Sequence, residues 1–518
     1  MTRALRRKGW PWLVLLFAGA ALLSAITVLN GVQPNDEGLM LQAARRIAGG
    51  QVPYRDFWWY YPPGQPYLLA GVWKLFGPSL LDWRIVRVAS DATVSVLAYA
   101  LARRRASVGL ALAAWLAAAC AMAFPTGPHP FPIALALALA ALLTFERRLA
   151  LAGALAGLCA VWRIEFAAYL AVGIVLAIAL GPEPRRERAR RAARFAVPVV
   201  LVAGALYVPV VAAAGLGRSW HLLVRYPLID FQKYQSLPFP WRYQGSFRVV
   251  RVIHFYLPLL LLVGLAGSVA RLALRIRRAD PAPVATMVVA AGMAHYMLVR
   301  TDLFHTAPLA VLVGVLAAWA LTSERRGERG APAVRRVVAM AGAAGAALGL
   351  VWALTEGIDR RVEGLEENTV PIHLPVADGV RVRPLRAAPL EKAADYVRAH
   401  VPPGDPIYVT GARADLVTSG YPLFYVLTER PNPTRYDIAA PGVVTSAPVQ
   451  REIVRVLERV RPRIVLRWAA PVTALPEPNQ AGRSSGVRIL DVYLARAYRL
   501  ERRFGIYLLL APRPRTAR

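Results

Sequence analysis

The sequence has very few cysteines and lysines. Its two cysteines, Cys120 and Cys159, both lie in apolar runs. A disulfide framework for a C-terminal domain is therefore excluded, and neither cysteine has the spacing of a metal site. Lysine is nearly absent, so arginine supplies almost all of the positive charge. The C-terminal part also lacks the glycine patterns of phosphate-binding loops and of dinucleotide-binding folds.

The formal net charge of +32 suggests a nucleic-acid partner, but the distribution of the arginines argues against one. They cluster in short loops between apolar runs, as the orientation rule for membrane proteins predicts. The charge therefore indicates a membrane partner, and we predict no nucleic acid.

Long apolar runs dominate the first two thirds of the 518 residues, and 56% of the whole chain is hydrophobic. Runs of roughly 20 residues, the length that crosses a bilayer, recur to about Leu354. Beyond this point the runs shorten, and Pro, Arg and Glu become frequent. We predict a membrane domain over residues 1–355 and a soluble domain over residues 356–518.

The N-terminal segment has basic residues followed by an apolar run at residues 12–29. This run is long and lacks a small-residue cleavage site, so we interpret it as an uncleaved span with a cytoplasmic N-terminus. One topology then makes every cytoplasmic turn basic. It has eleven crossings and an extracytoplasmic C-terminal domain. The predicted spans are 12–29, 80–101, 108–124, 131–145, a hairpin over 149–180 that turns at 162–165, 195–214, 252–270, a hairpin over 282–321 that turns at 300–305, and 334–354.

The first outer loop, residues 30–79, contains the first acidic residues of the chain. Asn35 is a favourable N-cap for a helix that runs to about Ala48, and a second helix covers residues 63–76. The aromatic residues 58–61 between them suit the headgroup region. We expect both helices to lie along the outer membrane surface.

Some unusual ionisable residues do not belong to the basic cytoplasmic clusters. This topology places most of them on one side of the membrane, the outer side. Ionisable groups near the ends of spans are functional candidates because their desolvation is costly. The candidates are Asp36, Glu37, Asp56, Arg163, Glu165, Arg225, Arg300, Asp302 and His305, and we regard His129 as an ordinary loop residue.

The C-terminal domain alternates helical and strand patterns, which predicts a small α/β domain. The predicted helices are 390–400, 450–460 and 489–498, and the predicted strands are 407–411, 463–466 and 506–510. Such a domain would cover the active face or bind an acceptor.

An outer carboxylate pair, arginines and surface helices suit sugar transfer from a lipid-linked phosphate donor. A carboxylate can take the acceptor's proton, and the guanidinium fork can hold the departing phosphate. The Asp36–Glu37 pair soon after the first span, followed by Gly-x-x-Pro-Tyr-x-Asp at residues 50–56, resembles the GT-C glycosyltransferases. The similarity is greatest to the branch of protein mannosyltransferases and aminoarabinose transferases.

The resemblance implies a polyprenyl-phosphate sugar donor, inversion at the sugar carbon and Asp36 as the catalytic or acceptor-orienting carboxylate, which we expect to act as the base. We expect Glu37 and Asp56 to support Asp36, and Arg163, Arg300 and His305 to hold the donor phosphate. Asp36, Asp56 and Asp302 could converge on a divalent metal, but no spacing demands one, and we predict no cofactor. The acceptor would be an extracytoplasmic lipid, glycan or protein at the bacterial cytoplasmic membrane.

Other interpretations of these residues stay open. Asp36 and Glu37 could be no more than the start of a helix. Arg163 with Glu165 could be a structural ion pair at a turn. A transporter or lipid flippase would place charges near mid-membrane in repeated halves, whereas we find no internal repeat. A non-catalytic envelope assembly factor would use its outer domain to bind a partner.

Overall fold

The structure is a computed structural model. It describes residues 10–122, 127–237, 281–300 and 303–325, and residues 343–514 apart from 346, 353, 356, 357, 359–361, 363 and 364.

The N-terminal part is a bundle of mostly apolar helices. Its helices are α1 Trp10–Ala25, α2 Asp36–Ala48, α3 Gly64–Phe76, α4 Leu80–Arg103, α5 Val108–Ala121, α6 Phe131–Thr144, α7 Leu149–Trp162, α8 Ile164–Ala179 and α9 Arg185–Ala214. The next segment contains α10 Leu216–Trp220, a π-helix His221–Asp230 and α11 Phe231–Gln235, and we call it the outer segment because the predicted topology places it outside the membrane. The bundle continues with α12 Pro281–Val299, a 3-10 turn Leu303–Thr306 and α13 Ala307–Arg325.

Four helical stretches of the described residues are long and apolar enough to cross a membrane. They are Leu80–Arg103, Arg185–Ala214, Pro281–Val299 and Phe304–Thr322. Six shorter apolar helices accompany them, including α1 and α5 to α8. Two of the eleven predicted spans, 252–270 and 334–354, lie wholly or mainly outside the described residues, so the count of eleven remains a prediction.

Both apolar runs that were predicted to form hairpins are divided near the predicted turns. Arg163 has an extended backbone (φ −149°, ψ 108°) between α7 and α8, which divides a run that is too long for one crossing. The second run divides where α12 ends at Val299 and the 3-10 turn leads into α13. The breaks place Arg163, Arg300 and His305 at helix ends.

The C-terminal part contains a four-stranded sheet, which includes the three strands that the alternating pattern predicts. Its strands are β3 Tyr408–Gly411, β4 Val465–Trp468, β5 Tyr498–Phe504 and β6 Tyr507–Pro512, in the order β3-β4-β6-β5. Two short strands, β1 Val370–Pro371 and β2 Arg381–Val382, pair separately. The helices are α14 Pro384–His400, α15 Leu423–Thr428, α16 Ala447–Val460 and α17 Ile489–Ala497. Strands β3 and β4 are parallel, and α16 lies in the connection between them. Strand β5 and helix α15 were not predicted.

Helix α2 is buried between the membrane bundle and the C-terminal domain. Its placement along the membrane surface stays a prediction. Its residues Leu39 and Leu41 share one hydrophobic core with Phe424 and Tyr425 of α15. The sequence does not reveal this burial, because the covering surface comes from residues almost 400 positions further along the chain. Helix α3 does expose apolar side chains, including Leu75 and Phe76, as the prediction requires.

Candidate active site

Three of the four residues in the motif Asn35-Asp36-Glu37-Gly38 have structural roles. Asn35 is not the expected N-cap, because its backbone is helical and its side chain makes no capping bond. Its Oδ1 instead accepts a bond from the Gly420 backbone at 3.4 Å. A Cβ at Gly38 would lie 2.2 Å from the backbone nitrogen of Leu423, so the close approach of α15 requires glycine. The motif therefore joins α2 to the C-terminal domain.

Glu37 is fully buried in an ion pair with Arg84 of α4. Arg84 Nε donates to Glu37 Oε1 at 2.8 Å, and Nη2 donates to Oε2 at 2.9 Å. Arg84 also donates to the carbonyls of Val28 and Gly31, and so connects α2, α4 and the end of α1. Both oxygens of Glu37 are engaged, which indicates a supporting role.

Sequence reasoning missed Arg84. It lies in a predicted span with two other buried charged residues, Arg87 and Asp91. The spacings of three and four residues place all of them on one helix face, which is the signal that could have identified them. Asp91 accepts a bond from Ser24 Oγ at 2.7 Å, so this face connects α4 to α1.

Asp36 is the exposed member of the motif. Its carboxylate accepts a 3.0 Å bond from the Asn35 side chain and forms no ion pair within the described residues. Its charge acts on three nearby groups, namely Tyr60, Tyr61 and His129. Asp36 therefore has no structural task comparable to that of Glu37, and it faces a cluster of aromatic and imidazole groups.

Tyr60 and Tyr61 form the aromatic side of this cluster. Tyr60 Oη donates to Tyr61 Oη at 2.9 Å, and the ring centroids are 4.2 Å apart. Burial, together with the charge of Asp36, raises the pKa of both phenols. The rings of Trp58 and Tyr226 pack against Tyr60. The hydroxyl groups are therefore better candidates for a functional contact than the ring faces.

Arg163 reaches the same cluster from the turn between α7 and α8. Its guanidinium carbon lies 5.9 Å from the ring centroid of Tyr61 and 5.0 Å from that of Tyr296. Nη2 lies 2.5 Å from Glu165 Oε1, and this carboxylate fixes the direction of the guanidinium. The charges of Arg163 and Asp36 both act on Tyr61 and His129, in opposite directions.

His129 and His305 are connected to this cluster through the rings of Phe304 and Tyr296. The ring of His305 packs on Tyr296 with centroids 4.7 Å apart, and Phe304 packs on both imidazoles. Nε2 of His129 lies 3.2 Å from Gln33 Oε1. Burial lowers the pKa of His129 to about 4, so its ring is neutral near pH 7. His129 belongs to the cluster, although we regarded it as an ordinary loop residue.

The structure gives Asp56 partners different from those of Asp36. It pairs with Arg55 at 2.9 Å and accepts the backbone N–H of Val52 at 2.7 Å. These hydrogen bonds, that from Arg55 above all, lower the pKa of Asp56. Its contacts indicate that it holds the loop at residues 52–56.

The remaining candidates have separate surroundings. Arg225 is exposed in the π-helix, beside Tyr226. Arg300 forms a two-bond ion pair with Glu477 of the C-terminal domain, at 2.9 and 3.2 Å. Asp302 lies outside the described residues. Within the described ranges, no group of three or more His, Cys, Asp or Glu side chains is placed to hold a metal.

The architecture is similar to that of solved GT-C structures, which confirms the resemblance at the level of the fold. Two crystal structures of ArnT from Cupriavidus metallidurans match 97% of this chain and 98% of their own, at 14% identity. The TM-score is 0.55 for the apo state and 0.53 for the complex with undecaprenyl phosphate.

A third solved structure extends the fold comparison beyond ArnT. The arabinofuranosyltransferase AftD from Mycobacteria matches 98% of this chain but 40% of its own, at 15% identity and a TM-score of 0.52. No family model and no curated protein sequence matches the chain.

Proposed function

We propose that the protein is an integral membrane glycosyltransferase at the outer side of a bacterial cytoplasmic membrane. It transfers a sugar from a polyprenyl-phosphate donor to an extracytoplasmic lipid, glycan or protein. The fold supports this class of reaction, because the chain aligns with ArnT over almost the full length of both proteins. The complex of ArnT with undecaprenyl phosphate supports the choice of donor.

The observation that carries the proposal is the contrast between Asp36 and its neighbour Glu37. Glu37 is held in a buried ion pair with Arg84, whereas Asp36 is exposed and accepts a single hydrogen bond from Asn35. Buried or paired carboxylates serve folding, but a general base must reach a substrate proton. Asp36 is the motif acid that can do so.

The reaction follows from the two charges that approach Tyr61. An acceptor hydroxyl or amine attacks the anomeric carbon while Asp36 takes its proton. The bond between that carbon and the phosphate oxygen breaks, and the electron pair leaves with the polyprenyl phosphate. Arg163 and His305 then stabilise the departing phosphate, because cationic and N–H donors bind phosphate oxygens strongly.

The other candidate residues have supporting roles in this scheme. Glu165 orients Arg163, and Asp56 holds the loop that precedes Tyr60 and Tyr61. Arg225, which is exposed on the outer segment, is available to a bound donor. Asp302 adds a further acidic group near His305 in sequence. Attack opposite to the leaving phosphate inverts the sugar carbon, as the family resemblance implies.

The test uses the full-length protein reconstituted in liposomes. Undecaprenyl-phosphate sugars carrying a labelled pentose, hexose or aminosugar are supplied with lipid and glycan extracts of the cell envelope. We expect a labelled acceptor and stoichiometric undecaprenyl phosphate by mass spectrometry. Arg163→Lys should slow transfer about tenfold, because lysine cannot form the two-bond fork on phosphate.

Two outcomes would contradict the proposal. Movement of labelled lipid between leaflets without any covalent product would indicate a flippase. A stable complex with another envelope component, insensitive to substitution of Asp36, would indicate an assembly factor.

A further inference from the structure

Arg300 lies at a contact between three parts of the chain, which we call the junction. The junction comprises Arg300, residues 231–237 of the outer segment, and residues 477–481 of the C-terminal domain. Arg300 Nη1 donates to the Gln235 carbonyl at 2.6 Å, while its guanidinium pairs with Glu477. One side chain therefore binds both other parts.

Residues around Glu477 reinforce this contact. Asn479 Nδ2 donates to the Ser236 carbonyl at 2.8 Å and to Glu477 Oε2 at 2.9 Å. The backbone N–H of Gln480 donates to the Lys233 carbonyl at 3.1 Å. The outer segment is thus bound along its length from Lys233 to Ser236, and its end pairs with α12 through Leu237 and Val299.

The outer segment also forms one wall of the candidate active site. Tyr226 of the π-helix packs on Trp58 and Tyr60, with ring centroids 5.0 and 5.3 Å apart. Phe231 packs on Tyr60 at 5.7 Å. Because Tyr60 donates to Tyr61, a displacement of the outer segment would move two hydroxyl groups on which the charge of Asp36 acts.

We propose that Arg300 and Glu477 are positioning residues, through which the C-terminal domain holds the outer segment against the site. The effect on substrate rests on the function proposed above, whereas the effect on the segment does not. This assignment replaces direct phosphate binding as the role of Arg300. It also gives the C-terminal domain a task within the catalytic unit.

The geometry favours positioning over an incidental surface contact. Two parallel N–H···O bonds fix the direction of a guanidinium more strictly than one bond does. The pair is only partly exposed, at 22% and 28% of the two side chains. The same guanidinium also donates to a backbone carbonyl of the segment that it positions.

The experiment uses the full chain in lipid nanodiscs, with undecaprenyl phosphate as the probe. The variants are Glu477→Gln, Arg300→Lys and the exchanged pair Arg300→Glu with Glu477→Arg. Hydrogen exchange of peptides covering residues 221–237 reports on the outer segment, and a binding titration reports on the probe. The control is the exchange of Asp405 and Arg463, an exposed pair at the opposite end of β4.

We expect Glu477→Gln to accelerate exchange in residues 221–237 about tenfold and to weaken binding of the probe several-fold. The exchanged pair should restore part of both properties, because it remakes the ion pair but loses the hydrogen bond to the Gln235 carbonyl. Arg300→Lys should show an intermediate effect, and the control should change neither.

Unchanged exchange in Glu477→Gln would overturn the proposal. Restored exchange with lost binding in the exchanged pair would show that Arg300 binds the phosphate directly, which also overturns it. If wild-type protein failed to bind the probe, the proposed donor would be wrong, and the exchange rates alone would still decide the role of the junction.

Discussion

Arg84 and Glu37 form a fully buried ion pair with two hydrogen bonds, at 2.8 and 2.9 Å, between α4 and α2. Because of this pair, the two acidic residues Asp36 and Glu37 have different roles. Glu37 maintains the position of α2, and Asp36 is left exposed on the next residue.

Glu37→Gln should therefore destabilise the protein. The substitution leaves the Arg84 charge buried without a countercharge, which costs about 3 to 5 kcal/mol. Thermal unfolding in nanodiscs should show a clear fall in Tm. The control is Glu146→Gln, because Glu146 pairs with Arg104 in a partly exposed position and its loss should cost about 1 kcal/mol or less. A wild-type Tm for Glu37→Gln would show that this carboxylate is not structural.

Gly38→Ala should loosen the C-terminal domain from α2. The new Cβ would lie 2.2 Å from the Leu423 nitrogen and 2.7 Å from its Cα, so α15 must shift, at a cost of roughly 1 to 3 kcal/mol. Limited proteolysis and Tm measure this effect. Gly71→Ala in α3 is the matched control, since no atom lies within 4 Å of its Cβ and the helix should gain about 0.5 to 1 kcal/mol. Equal behaviour of the two variants would contradict the observed packing.

Much of the fold follows from local patterns. The hairpin turn at Arg163 was predicted because basic residues flank an apolar run that is too long for one crossing. Strand β5 was missed because it is an edge strand with mostly exposed polar side chains, and so lacks an apolar alternation. The burial of α2 was missed because the covering helix α15 is distant in the sequence.

The candidate site was less accessible to prediction than the fold. Asp36, Arg163 and His305 follow from charges at helix ends, and the structure relates them through Tyr61 and Tyr296. Sequence alone cannot reveal that Asp56 pairs with its neighbour Arg55, or that Arg300 faces Glu477. Such pairings depend on side-chain directions and on contacts across the chain.

The neutral, buried imidazole of His129 predicts a loss of stability in acid. Its pKa falls from 6.5 to about 4 on folding, because burial opposes its charge. The nearby Asp36 and Glu37 favour the charged form, and Arg87 and Arg163 oppose it. Between these pH values the unfolded chain binds more protons, so stability should decrease as the pH falls from about 6.5 to about 4. The contribution is up to about 3 kcal/mol.

His129→Gln removes this titration and can keep the contact with Gln33. Its Tm should therefore depend less on pH than that of wild type over the same interval, and the two proteins should differ little in slope above pH 7. A pH dependence identical to wild type between pH 4 and 6.5 would show that His129 does not contribute.

The most direct test of the account is the transfer rate of Asp36→Asn in liposomes with a polyprenyl-phosphate sugar donor. Loss of a general base should slow transfer about 10²- to 10⁴-fold, with Tm unchanged because Asp36 forms no ion pair in the described part of the chain. Asp82→Asn, which alters another acid in the first turn of a helix, should transfer at the wild-type rate. A near-wild-type rate for Asp36→Asn would contradict the central claim that this exposed carboxylate is the base.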